Sequence, residues 1–329
     1  TETKKIRTAD ITPLGREIAQ EAKKGSFIER VTPSLLKDGT WKGKQFRQYD
    51  LQAKAPTLYP GKRHYVAQAV EYARRIWLDM GFKEMSGPMT TTSFWNFDAL
   101  FTPQDHPARE LQDTFFLEDP EYGRLPDKKL VAAVKAMHER GYPARSKGWQ
   151  YEWREEEARK NVLRTHTTLL SARTLATLKA SDLPTKYFAI STNFRNETLD
   201  WKHLCEFHQT EGIVVGEGLT FKHLLGYLKI FFNKMGFEKV RFRPGYFPYT
   251  ECSVEPEVYH PTKKQWIELG GAGIFRAEVV APLLGKEVPV LAWGLGLTRM
   301  IALYYDIQDI RDLYRNDIKK LREARVWMK

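Results

Sequence analysis

Residues 194–212, FRNETLDWKHLCEFHQTEG, decide the reading of this chain. Just ahead of them Tyr187-Phe188-Ala189-Ile190 has strand character, and just behind them Ile213-Val214-Val215 has it again. The polar residues between therefore sit on two strands and the loop that joins them. Side chains alternate between faces along a strand, so Arg195 shares a face with Glu197, and Gln209 shares one with Glu211. An arginine on one strand and a Gln/Glu pair on the next suit a ligand with an anionic end and an ammonium end. A guanidinium fork grips phosphate, and a carboxylate beside an amide holds a protonated amine. An amino acid being joined to a nucleotide phosphate is such a ligand. The competing reading is an ordinary hairpin whose charged face is merely solvated. Against it stand the alternation Glu206-Phe207-His208-Gln209 and the polar loop from Asn196 to Lys202, which could fold over a substrate.

The 329 residues allow one large or two modest domains, and 42% hydrophobic with 28% charged content indicates a soluble globular protein. No apolar run approaches the roughly 20 residues needed to span a bilayer, and no secretory signal opens the chain. It begins at Thr1, not Met, and is read as a trimmed or partial chain. The only cysteines are Cys205 and Cys252, which excludes a disulfide scaffold and fits a reducing cytoplasm. His203-x-Cys205-x-x-His208 has the residue types of a zinc site. Strand spacing nevertheless spreads the three over alternating faces, a poor match to a tetrahedral shell. The net charge of +11 is compatible with a nucleic-acid partner. It is scattered over Lys4–Arg7, Lys128-Lys129 and Lys319–Arg325, with no compact basic stripe.

Residues 1–60 are charged and interrupted by Pro33, Pro56 and Pro60, and read as an arm or linker with one short helix near Leu14–Lys24. Val66, Val70, Ala73, Trp77 and Met80 then recur at helical spacing, with Gly81 as the stop. A second amphipathic helix spans Thr220–Met235, its apolar face formed by Phe221, Leu224, Leu225, Leu228, Phe231 and Phe232, and Gly236 ends it. Strand signals fall at Lys239–Phe242, Glu257–His260, Gln265–Leu269 and Val288–Trp293. Residues 119–160 read as a charged, solvent-facing insertion with a helix around Lys128–Arg140. Several strands with few intervening helices predict an α+β domain, an antiparallel sheet flanked by helices, over residues 61–329. A Rossmann reading of Gly294-Leu-Gly296 is weak, because the sixth position is Arg299.

Four further stretches carry chemistry. Leu291-Ala292-Trp293-Gly294-Leu295-Gly296-Leu297-Thr298-Arg299 runs from a buried strand into a helix, where glycines admit a ligand to the backbone and the helix N-terminus favours anions. Arg299, in the first turn, either faces a phosphate or is a solvated arginine beside a packing turn. Residues 87–117 hold Phe94, Trp95, Phe97 and Phe101, too apolar together to face water; they cover an interface or fill this chain's own core. Leu163-Arg164-Thr165-His166-Thr167-Thr168 precedes a small-residue helix and could be a simple cap. Phe247-Pro248-Tyr249-Thr250-Glu251 is an aromatic strand.

Together these stretches resemble class II aminoacyl-tRNA synthetases, and among them the alpha subunits of phenylalanyl-tRNA synthetases of archaeal or eukaryotic type. The resemblance runs from about residue 30 to the end. Phe194-Arg195-x-Glu197, the loop ending in His203, and Phe207-His208-Gln209-x-Glu211-Gly212 resemble motif 2. The 291–299 string resembles motif 3, and Phe94-Trp95-Asn96-Phe97-Asp98 with His106-Pro107-Ala108-Arg109 resembles the motif 1 region, which builds a subunit interface in that family. The resemblance implies ATP as co-substrate and Mg2+ as cofactor. It implies catalytic roles for Arg195, Glu197 and Arg299, with His203 joining them on ATP. His166, Thr168, Gln209, Thr210, Glu211, Phe247, Tyr249, Phe275 and Ala292 would hold L-phenylalanine, the aromatic ones meeting its ring edge-to-face. Glu251 corresponds to a magnesium ligand shared with a beta subunit in an α2β2 assembly. The implied reaction is adenylation of phenylalanine and transfer to tRNA(Phe) in the cytoplasm, by positioning and charge neutralisation without a nucleophilic side chain. The sequence departs from the family at Thr298, often Glu, and at Cys252, usually Pro.

Two alternatives stay open. A phosphoseryl or pyrrolysyl enzyme would share motifs 2 and 3, but the first needs cations where Tyr249 and Ala292 stand, and the second a longer pocket. A non-catalytic paralogue should have lost Arg195 or Arg299, and both are present.

Overall fold

The computed structural model describes residues 10–21, 27–48, 61–110, 113–260 and 263–327. Chain contacts divide it into two units, Thr1–Gly61 and Lys62–Lys329. The first contains α1 (Pro13–Glu21) and α2 (Pro33–Lys37), with one parallel bridge between Ile28 and Phe46. α2 was not expected, because Pro33 reads as a breaker. Pro33 instead takes the first helical position, where no N–H is needed, and the Thr32 hydroxyl caps Leu35 N–H at 3.3 Å. Lys4–Arg7, Lys23, Lys24, Pro56 and Pro60 lie outside the described residues.

The second unit opens with α3 (Tyr65–Asp79), then β1 (Lys83–Glu84), β2 (Thr90–Thr92), α4 (Ser93–Asn96), α5 (Lys128–Arg140), α6 (Glu155–Arg159), β3 (Asn161–Leu163) and α7 (Thr168–Leu175). β4 (Thr185–Phe194), β5 (Glu206–Val215), α8 (Phe221–Met235), β6 (Val240–Pro244), β7 (Thr250–His260), β8 (Gln265–Glu268) and β9 (Gly270–Phe275) follow. α9 (Ala277–Leu284), β10 (Val290–Gly296), α10 (Leu297–Tyr304) and α11 (Ile318–Glu323) close it. The main sheet has the order β1-β4-β5-β10-β9-β7-β6, with β8 on β7, and only the β1–β4 pair is parallel. This is the helix-flanked antiparallel sheet that the α+β pattern predicts.

Strand alternation sorts the sheet's two faces. Leu291, Trp293 and Leu295 of β10 join Phe188 and Val214 in one core layer under α3 and α8. In that layer Trp77 stacks on Phe231 at 4.3 Å between ring centres. The positive φ of Gly236 (98°) lets α8 stop there, and Gly81 (79°) does the same just past α3. Val290 and Ala292 face the other way with Ile213 and Val215, packing on residues of α5, α7 and α9. Gly294 and Gly296 follow Ala292 at the same two-residue period, so the second face runs out of side chains as β10 ends.

Of the two readings of the aromatic run, the core one holds for Phe94, Phe97 and Phe101, buried at 0%, 3% and 2% exposure by this chain alone, while Trp95 is half-buried. The α3 face built on Ala69, Ala73, Ile76 and Trp77 is likewise already covered. Residues 119–160 are not solvent-facing throughout, since Val134, Met137, His138 and Trp153 turn inward. His138 lies 2.8 Å from the Asp98 carbonyl and 2.9 Å from the Tyr151 hydroxyl. The buried Asp98 carboxylate accepts from Trp153 (2.6 Å), Gln104 (3.1 Å) and Arg109 (3.2 Å). Burying that charge is tolerable only with such partners.

Candidate active site

The register of three strands makes the site. Gln209 and Glu211 of β5 stand opposite Gly296 and Gly294 of β10, and Gly294 in turn pairs with Gly271 of β9. A Cβ on Gly294 would lie 2.9 Å from Glu211 Oε2 and closer still to Gln209 Nε2; one on Gly271 would enter the Phe247 ring. The missing side chains leave a cavity of about 270 Å3. His166, Thr168, Arg195, Glu197, His203, Gln209, Glu211, Phe247, Tyr249, Phe275, Ala292 and Arg299 all line it.

Two residues expected there do not. Thr210 is fully buried on the opposite face of β5, where its hydroxyl accepts from Trp77 Nε1 at 2.8 Å; alternation with Gln209 and Glu211 requires this. Glu251 is exposed at the start of β7, outside the lining, and its field acts on Arg276. It lies with Cys252 where the β7–β9 register shifts between Thr250 and Ser253. Among the described residues no group of three His, Cys, Asp or Glu side chains could hold a metal ion. The remaining departure, Thr298, is buried and accepts the His208 N–H at 2.7 Å, tying α10 to β5.

One end of the cavity offers acceptors and aromatic walls. Burial pushes the Glu211 carboxyl up to about 8, although the Ser171 and Thr168 hydroxyls, each donating at 3.1 Å, pull it back. Gln209 Oε1 accepts from Asn193 Nδ2 at 2.6 Å and from Thr167 N–H at 3.4 Å, which turns its NH2 toward Glu211 and Gly294. His166 Nε2 lies 2.9 Å from the Asn96 carbonyl and must donate to it, so Nδ1, buried without a partner, presents a lone pair. Burial, with help from Arg195, lowers this imidazole to about 4 and keeps it neutral. Phe247 stacks on Tyr249 at 5.9 Å, and Tyr249 meets Phe275 edge-on at 6.3 Å.

The other end is cationic. Arg195 follows β4, its guanidinium 5.1 Å from the Phe207 ring centre and 3.7 Å from Glu197. Arg299, in the first turn of α10, donates to the Glu268 carbonyl at 3.3 Å. Lys202 and His203 complete this end, and the hydrogen bond from His203 helps hold Asp200 at about 2. Sequence reasoning passed over Lys202, Phe207, Glu268 and, apart from Phe275, the whole of β9 as site elements. The glycine run 270–273 was the available signal, since it repeats the glycine spacing of β10 beside the same cavity.

Residues 48–324 match the family model of the tRNA synthetases class II core domain. The chain belongs to that family. A phenylalanine–tRNA ligase alpha subunit from Methanopyrus kandleri is 52% identical over 324 residues, 97% of this chain and 61% of its own length. Its counterpart from Methanothermobacter thermautotrophicus is 49% identical over 325 residues, with 97% and 61% covered. The chain thus spans about three fifths of these class II relatives. A solved pyrrolysyl-tRNA synthetase from Desulfitobacterium hafniense superposes with a TM-score of 0.54 over 78% of this chain and 75% of that one. At 17% identity this is a likeness of fold alone.

Proposed function

We propose that this chain is the catalytic part of a phenylalanine–tRNA ligase alpha subunit, with residues 61–329 as its catalytic domain and 1–60 as an arm. The observation that carries the reading is the polarity of one cavity: neutral acceptors and aromatic rings at one end, Arg195 and Arg299 at the other. Glu211 and the free His166 Nδ1 suit an ammonium group; on binding the cation, Glu211 gives up its proton or shares one. Phe247, Tyr249, Phe275 and Ala292 suit a phenyl ring. The carboxylate oxygen then attacks the α-phosphorus of ATP, a P–O bond to the leaving pyrophosphate breaks, and the adenylate forms. In the second step a hydroxyl of the tRNA(Phe) terminal adenosine attacks the carbonyl carbon and AMP leaves. Arg195 faces the α-phosphate and Arg299 the terminal phosphate, with Glu197 and His203 orienting the nucleotide. Their contribution is alignment and charge stabilisation.

Magnesium enters this proposal only as the companion of ATP, because phosphate oxygens and water supply most of its ligands in such sites. Glu251 alone, exposed and near Arg276, does not make a metal site within this chain. The relatives' description as alpha subunits supports a beta-subunit partner, proposed as α2β2; a cytoplasmic setting is part of the proposal because tRNA charging serves translation. Among the described residues no helix is long and apolar enough to cross a membrane. Against a phosphoseryl enzyme, the cationic lining residues Arg195, Lys202 and Arg299 gather at the phosphate end, and none stands among the four ring-facing residues. ATP–pyrophosphate exchange, run with each standard amino acid, phosphoserine and pyrrolysine, tests the proposal. Exchange with phenylalanine alone is expected; exchange driven only by another amino acid overturns it.

A further inference from the structure

We propose that Asn96 is a positioning residue for Arg195, acting through Thr165; the inference rests on the activity proposed above, which is what gives Arg195 its task. Asn96 ends α4 and is fully buried. Its carboxamide meets Thr165 twice: Nδ2 donates to the Thr165 hydroxyl at 3.0 Å, and Oδ1 accepts the Thr165 N–H at 3.2 Å. The Thr165 carbonyl accepts from Arg195 Nε at 3.2 Å. One side chain therefore holds the N–H and the hydroxyl of the residue whose carbonyl holds the arginine. The Asn96 backbone carbonyl also receives His166 Nε2–H, so both ends of the cavity lean on this residue.

Arg195 has few other constraints. Its side chain is 44% exposed, and Glu197 at 3.7 Å is too distant and too solvated to hold it. The Phe207 ring supports the guanidinium from one side but does not set its rotation over the ring. The Arg195 N–H to Cys205 carbonyl bond fixes the backbone, not the fork. The Nε–H to Thr165 bond is what aims it. The segment that provides this bond is itself rigid. Arg164, only 3% exposed, donates to the backbone carbonyls of Thr192 (2.7 Å), Gly87 (3.1 Å) and Pro88 (3.3 Å), and its own carbonyl accepts the Phe194 N–H. Asn96 itself is fully buried, with Phe94 and Phe97 near it in sequence buried as well.

Misplacing a catalytic group by about 1 Å can cost about 10²-fold in rate. The test uses the full-length protein purified with its partner subunit and measures phenylalanine-dependent ATP–pyrophosphate exchange. Asn96→Ala should lower kcat by about 10–100-fold while the KM for ATP stays within about threefold. In an Arg195→Ala background the same change should lower kcat no further, since there is no guanidinium left to aim. A merely structural role would cost the same factor in both backgrounds, and that additive result would overturn the inference, as would wild-type kcat in Asn96→Ala. Should Asn96→Ala fail to fold, Thr165→Val, which removes only the hydroxyl acceptor, should show a smaller loss with the same non-additivity, and additivity there would also overturn it. If the unmutated protein shows no exchange with phenylalanine, the proposed activity fails and takes this inference with it. An active enzyme with an additive cycle sinks the inference alone.

Discussion

Replacing Gly294 by alanine tests whether the glycine floor of the cavity is where the substrate amino acid lies. Gly294 pairs with Glu211 across β5 and β10 and has no left-handed φ, so the added methyl acts through space alone. Its Cβ would stand 2.9 Å from Glu211 Oε2, where ordinary contact begins at 3.4 Å, so the carboxylate must give by at least 0.5 Å (3.4 less 2.9) and the Gln209 amide by more. Neither can move freely. Glu211 is held by Thr168 and Ser171, both at 3.1 Å, and Gln209 by Asn193 at 2.6 Å, whose own Oδ1 already lacks a partner. Breaking the Gln209–Asn193 bond in this buried place costs about 1–3 kcal/mol. With two contact groups displaced, kcat/KM for phenylalanine should fall about 10²-fold. The KM for ATP should hold, because the methyl touches neither Arg195 nor Arg299. Pyrophosphate exchange with phenylalanine varied at saturating ATP, and then the reverse, separates the two. A variant with the parent's KM for phenylalanine would refute the placement of the amino acid over Gly294.

Arg195→Ala should reduce adenylate formation by about 10²–10³-fold with little change in Tm, because it removes a half-exposed charge that the proposal sets against the α-phosphate; normal exchange would end that assignment. Ala292→Gly removes a methyl from the ring end and should admit para-substituted phenylalanines such as the chloro analogue, since such pockets discriminate single groups by only about 1–3 kcal/mol; continued exclusion of every such analogue would show that Ala292 does not bound the ring. Glu211, raised from 4.5 to about 8, binds its proton more tightly folded than unfolded, so the stability it contributes is complete below 4.5 and is lost as pH rises to about 8. Glu211→Gln should flatten the fall in Tm over that window, and an unchanged slope would contradict it. His166, lowered from 6.5 to about 4, acts in the opposite sense: its contribution is complete above 6.5 and is lost as pH falls to about 4, a loss that His166→Gln should reduce in acid melting curves.

How much of this was readable in advance depended on what kind of force sets each feature. β4 and β5 follow from local hydrophobic pattern, and once they pair, alternation alone puts Gln209 and Glu211 on one face. The same rule should have excluded Thr210, which motif resemblance carried in with its neighbours. β9 was missed because four of its six residues are small, and glycine weakens any strand signal. Its purpose shows only in the register, where Gly271 faces Gly294 and yields space to Phe247. Hydrophobicity showed that Phe94, Phe97 and Phe101 must be covered but not by what; the cluster around Phe94 and Phe101 draws in Leu175 and Val280 from far along the chain. Along α5 the count of charges hid a helical period that turns Val134, Met137 and His138 inward. The acceptor character of His166 Nδ1 was beyond reach for the same reason, because it is decided by the Asn96 carbonyl, 70 residues earlier.

The central claim, that this class II core charges phenylalanine, is tested most directly by aminoacylation. Full-length protein purified with its partner subunit is given ATP, magnesium, labelled amino acid and tRNA(Phe), and the labelled ester on the tRNA is counted together with the AMP released. The account predicts phenylalanyl-tRNA with AMP in equal amount and no ester with serine, phosphoserine or pyrrolysine. A partnered, folded enzyme that leaves tRNA(Phe) uncharged with phenylalanine, or that charges a different amino acid in its place, would contradict it.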